Sequence, residues 1–118
     1  MGEGGYISEF VTSVWKPLMK EILKKKIKVI TNAGGMNPLA CKKAIEEISE
    51  KSGIKVKVAA IYGDDITDII KNLKLNPFSL IEEEKIPKVD KFMSANAYFG
   101  ALPILKALIE GADGKTII

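Results

Sequence analysis

The chain has 118 residues, of which 47% are hydrophobic and 28% charged; this suits one folded domain, residues 1–118, with its own core. The 18 basic and 15 acidic residues leave a net charge of +3, too mild and too scattered for a nucleic-acid partner. There is no histidine and Cys41 is the only cysteine, which excludes a Ser-His or Cys-His catalytic pair, a histidine metal site and an internal disulfide.

The single thiol fits a reducing cytoplasm. The N-terminus lacks the basic and apolar regions of a signal peptide, and no apolar run approaches the roughly 18 residues of a membrane span. A cytoplasmic protein without membrane contact is therefore expected.

Residues 6–25 predict a helix. Ile7, Phe10, Val11, Val14, Trp15, Leu18, Met19, Ile22 and Leu23 recur at three- and four-residue steps as a wide apolar stripe. Pro17 interrupts it and predicts a kink or break near Val14 to Lys16. The lysines at 24, 25, 26 and 28 favour the negative end of that helix. IKVIT, 27–31, reads as a short buried strand. A second helix starts at Pro38, with Asn37 as its cap and Gly53 as its stop. Leu39, Ala44, Ile45 and Ile48 form its expected inner face, Cys41 packs as a small residue, and Glu47 pairs with Lys51.

IKVKVAAI, 54–61, alternates and then becomes continuously apolar, as in a strand entering a buried sheet. A short helix follows from about Asp65 to Leu73. Residues 74–88 read as an irregular excursion with an extended piece at Ser79 to Ile81, and a strand is expected near Lys91 to Ser94. A last helix runs to Gly111, with Pro103 near its first turn. KTII, 115–118, reads as a strand.

Strands alternating with helices predict an α/β fold: a three-layer, mostly parallel Rossmann-like sheet with helices on both faces. The C-terminal ends of parallel strands share one edge, where such sheets bind ligands. Three strands run into "NAGGMN", "YGDD" and "SANAYFGA". Asn32, Gly34, Gly35, Asn37, Tyr62, Asp64, Asp65, Ser94, Asn96 and Tyr98 are therefore expected along one rim. Gly34 and Gly35 permit unusual backbone angles and close approach by a ligand, and backbone N–H groups at a helix start favour an anion. Each motif also has a plainer reading. Gly-Gly makes a tight turn, Asn37 caps a helix, and Asp64-Asp65 caps the next helix rather than meeting a metal or a hydroxyl. "NAGGMNP" is neither a GxGxxG fingerprint nor a Walker loop, so no cofactor is named.

The ordered motifs "VITNAGGMNP", "GDD" after a strand, and "SANAYFGALPILKALIEGAD" resemble the acyclic terpene utilisation (AtuA-type) family, as does the lead-in "YISEFVTSVWKPLMKEILKKKIKV". The resemblance covers nearly the whole chain and is weakest over 74–90. It implies a part in catabolism of acyclic terpenes such as citronellol and geraniol, beside acyl-CoA carboxylation. It places Asn32, Gly34, Gly35, Asn37, Asp64, Asp65, Ser94, Asn96, Tyr98 and Gly100 in the family's motifs as pocket residues. Family members are several times longer and continue past "EGAD" into a strand and a "TGR"-like motif. Here "GADGKTII" stops at that strand, as an internal fragment or truncated paralogue would.

Two functions follow from these readings. The first is a ligand-binding domain for a small molecule such as an acyl-CoA or a carboxylate, in which Asp64 or Asp65 is a base or holds a divalent metal through oxygen ligands. The second is a non-catalytic subunit, in a homo- or hetero-oligomer, that completes another chain through an unpaired edge strand at KTII.

Overall fold

The structure is a computed structural model and describes residues 4–73, 95–111 and 115–117. Met1–Tyr62 with Gly100–Ile118 form one compact unit and Gly63–Phe99 another.

In the first unit the N-terminal helix begins at Ser8. It passes through a π-helical stretch, Phe10–Trp15, into the regular helix α1, Lys16–Lys24. Pro17 explains the widened turn. Its ring has no N–H to donate and crowds the carbonyl four residues back, and a π turn opens that spacing while the Lys16 N–H reaches Val11 O. The interruption expected at Pro17 is thus a local widening, not a break.

Burial selects a narrower stripe than the sequence suggests. Val11, Trp15 and Met19, four residues apart, are buried, whereas Ile7, Val14 and Leu18 are about half exposed. The helix closes with the Ile27 N–H on Ile22 O and the Lys26 N–H on Leu23 O. This Schellman closure sets Lys26 at φ 52, an uncommon angle for a residue with a Cβ.

Helix α2, Pro38–Glu50, packs on this seam through Cys41, Ile45 and Ser49, again at four-residue steps. The expected inner face therefore shifts. Leu39 is half exposed, while Ser49 is fully buried. The Trp15 indole N–H donates to Ser49 Oγ at 2.9 Å, and Ser49 Oγ donates to Ile45 O at 2.7 Å. The hydroxyl satisfies the indole that the core would otherwise leave unpaired. Glu47 pairs with Lys43 at 3.7 Å, one turn before the expected Lys51.

Strands β1, Val29–Ile30, β2, Lys57–Ala59, and β3, Lys115–Ile117, form a parallel sheet in the order β1-β3-β2. This corrects two expectations. The three-layer Rossmann-like sheet with helices on both faces is not seen among the described residues, half of which are helical and whose strands run only two or three residues. The physical reason lies in β2 and its approach. Ile54, Val56 and Val58 pack into the core, while Lys55 and Lys57 are exposed. That alternation suits a sheet covered on one face, not a strand buried between two helix layers. KTII is not an edge either: β3 lies between the other two strands. A completing role through that strand loses its basis.

Helix α4, Leu102–Ile109, starts with Pro103 in its first turn and buries none of its residues. Leu102 and Ile109 are each 75% exposed. In the second unit, helix α3 spans Thr67–Leu73. The strand expected near Lys91 to Ser94 and the extended piece at Ser79 to Ile81 lie outside the described residues. Among the described residues, no helix is long and apolar enough to cross a membrane.

Candidate functional site

The glycine turn of the first unit is fastened by the chain itself. Thr31 Oγ1 accepts from the Ala33 N–H at 3.1 Å. The Gly35 N–H donates to Asn32 O at 3.1 Å, and the Asn37 N–H to Gly34 O at 2.9 Å. The N-terminal segment then docks on the turn. The Met36 N–H donates to Gly5 O at 2.8 Å, the Ile7 N–H to Ala33 O at 2.8 Å, and the Asn37 side-chain amide to Gly4 O at 2.9 Å. Asn37 Oδ1 accepts from the Ala40 N–H at 3.2 Å, as an N-cap does.

Gly35 has φ 51, and a Cβ there would stand 2.9 Å from Gly5 O. The close approach that the glycines allow is thus made by backbone thirty residues upstream. These contacts account for Gly35 and Asn37 on structural grounds alone. Gly34 is buried and Asn32 is exposed. Tyr62 and Gly100, also in this unit, are exposed.

The second unit brings two of the expected motifs together. Asp65 and Asn96 face each other across an antiparallel bridge. The Ile66 N–H donates to Ala95 O at 2.8 Å, and the Ala97 N–H to Asp64 O at 2.7 Å. Beside this bridge the Asn96 side-chain amide donates to Asp64 Oδ2 at 2.9 Å. Asp65 Oδ1 accepts from the Thr67 N–H at 2.9 Å, which orients the start of α3. Thr67 Oγ1 accepts from the Ala95 N–H at 2.8 Å.

Thr67 was not among the expected residues, although Asp65-Ile66-Thr67 carries the two-residue spacing of a side-chain-to-backbone turn. Asp64 is half-buried; Asp65, Asn96 and Tyr98 are exposed. Ser94 lies outside the described residues. Chemically, a carboxylate steadied by a neighbouring amide accepts a hydrogen bond or a proton from a hydroxyl or activated carbon acid. Among the described residues, no three His, Cys, Asp or Glu side chains are grouped to hold a metal ion.

Cys41 is fully buried, and burial pushes its thiol above the ordinary value, which disfavours a nucleophilic thiolate. Two depressions lie in the first unit. One of about 540 Å³ is lined by residues 53–57 with Glu46 and Glu50, and one of about 110 Å³ by Tyr6, Ala40, Lys43, Ala44 and Glu47.

The first unit is helix-rich with a short parallel sheet, and the second presents a steadied carboxylate. The chain belongs to the acyclic terpene utilisation family: residues 1–114 match the acyclic terpene utilisation family protein AtuA. No curated protein and no solved structure matches it.

Proposed function

We propose that the chain is a ligand-binding domain that takes an acyl-CoA or carboxylate intermediate of acyclic terpene catabolism, in the cytoplasm. Family membership supplies the metabolic setting. The observation that carries the reading is the 2.9 Å hydrogen bond from Asn96 to Asp64, made between two motifs 32 residues apart in sequence. In this reading Asp64 is the acceptor or base, and Asn96 fixes its carboxylate. Asp65 orients α3 beside it. Tyr98, two residues beyond Asn96 and exposed, contributes a further polar contact.

Calorimetric titration of the chain and its Asn96→Ala variant with an acyl-CoA tests it. Loss of Asn96 is expected to weaken binding about tenfold, the effect of one hydrogen bond to a charged group. Unchanged affinity in the variant, or no binding by the parent chain, overturns the proposal.

A further inference from the structure

We infer that Tyr98 and Phe99 form the surface on which the hydrocarbon chain of an acyl-CoA rests, with the phosphates of the carrier turned away from it. This rests on the reading of Asp64 and Asn96 as the site and adds which part of the ligand reaches them.

The Ala97 N–H donates to Asp64 O at 2.7 Å, and the Asn96 side-chain amide donates to Asp64 Oδ2 at 2.9 Å. Tyr98 and Phe99 therefore follow directly on the segment that crosses Asp64. Tyr98 is 102% exposed and Phe99 44%. A ring as open as that of Tyr98 has no packing role in the chain, and an aromatic side chain offers a large apolar surface at little conformational cost. One exposed aromatic is ordinary on a protein surface. Two in succession beside a half-buried carboxylate give the site an apolar flank.

Charge decides what that flank receives. Asp64 and Asp65 stand at the bridge to Asn96, and Asp68, exposed, lies in the first turn of α3. Carboxylates repel the phosphates of a carrier and accept an uncharged thioester with its chain.

Calorimetric titration of the full chain with acetyl-CoA and octanoyl-CoA, which share the carrier and differ in the chain, tests the inference. Octanoyl-CoA is expected to bind at least about tenfold more tightly, since burial of about two of its extra methylenes suffices. Tyr98→Ala is expected to cut that preference at least about fivefold. Tyr98→Phe, which loses the hydroxyl and keeps the ring, retains it. Leu102→Ala, which removes a side chain 75% exposed on α4, leaves it unchanged. Circular dichroism checks the fold of each variant. Asn96→Ala is expected to weaken both acyl-CoAs alike and leave their ratio. A ratio near one in the parent chain, a ratio that survives Tyr98→Ala, or one lost in Tyr98→Phe or Leu102→Ala overturns this inference, while the reading of Asp64 and Asn96 stands or falls on Asn96→Ala. If neither acyl-CoA binds the parent chain, both are overturned.

Discussion

The two polar regions are built on the same residue types and use them differently. In the first unit, the backbone amides of Ala33, Gly35, Met36 and Asn37 all find acceptors within the chain, and the Met36 N–H and the Asn37 side-chain amide donate to the docked segment Gly4 to Ile7. In the second unit, side-chain hydrogen bonds of Asp64 with Asn96 and of Thr67 with Ala95 cross-link two short segments, Asp65 orients the start of α3, and Asp65 and Asn96 stay exposed. A glycine- and asparagine-rich turn therefore does not by itself mark a ligand site. What separates the two regions is whether the polar groups close on backbone or present a steadied side chain to solvent. The first region also rests on a buried core, and the second is described through polar bridges.

The largest expected effect tests that last difference. Trp15→Ala removes a fully buried side chain from the first unit and leaves Ser49 without its donor. It is expected to cost about 3–5 kcal/mol in chemical denaturation followed by circular dichroism. Asn96→Ala in the second unit removes one exposed hydrogen bond and is expected to cost only about 0.5–1.5 kcal/mol. Comparable losses would mean that the second unit contributes as much to folding as the first, and the comparison would fail.

A narrower pair of variants isolates the docked segment. Gly35 and Gly53 both have positive φ, at 51 and 72, but a Cβ at Gly53 meets nothing within 4 Å. Gly53→Ala is expected to lose about 1 kcal/mol for the left-handed backbone alone. Gly35→Ala bears the same cost and must also move Gly5, so its loss is expected to reach about 2 kcal/mol or more. Hydrogen exchange at the Met36 and Ile7 amides should rise in Gly35→Ala only. Equal destabilisation without that rise would show that the N-terminal segment is not what requires glycine at 35.

Local signals were the most legible part of the chain. Asn37 caps α2, Gly53 terminates it with positive φ, Pro103 sits in the first turn of α4, and Pro17 disturbs the first helix. All four act over a turn or less, and their geometry is set by the residue itself. Burial was less legible, because periodicity names an apolar stripe without fixing what covers it. Val14 and Leu18 belong to the same stripe as Trp15, yet only Trp15 of the three is buried in the core that includes Cys41 and Ile45 of α2. Ser49 reads as a surface residue until the indole of Trp15 reaches it. Sheet architecture was the least legible, since β3 joins strands more than fifty residues away and no local pattern states that order. At the candidate site, the juxtaposition of Asp64 and Asn96 was anticipated within a rim of parallel strand ends. The structure brings them together by an antiparallel bridge.

The smallest effect concerns Cys41, which belongs to the packed side of the comparison. Burial raises its thiol above the ordinary value of 9.0 in the folded chain. Well below pH 9 the thiol is protonated in both states and adds no pH dependence. As pH rises through 9.0, the unfolded thiol ionises first while the folded one keeps its proton. The unfolded state then binds fewer protons, so stability falls with pH until the folded thiol ionises as well. Lysine titration overlaps this window, so the measurement is the difference between the parent chain and Cys41→Ala in urea denaturation from pH 7 to pH 10. The variant is expected to be less stable at pH 7, through the lost packing of sulfur, and to lose stability less steeply above pH 9. Parallel curves would mean that the thiol reaches solvent in the folded chain. The seam of Trp15, Cys41 and Ile45 would then open far more readily than its burial implies.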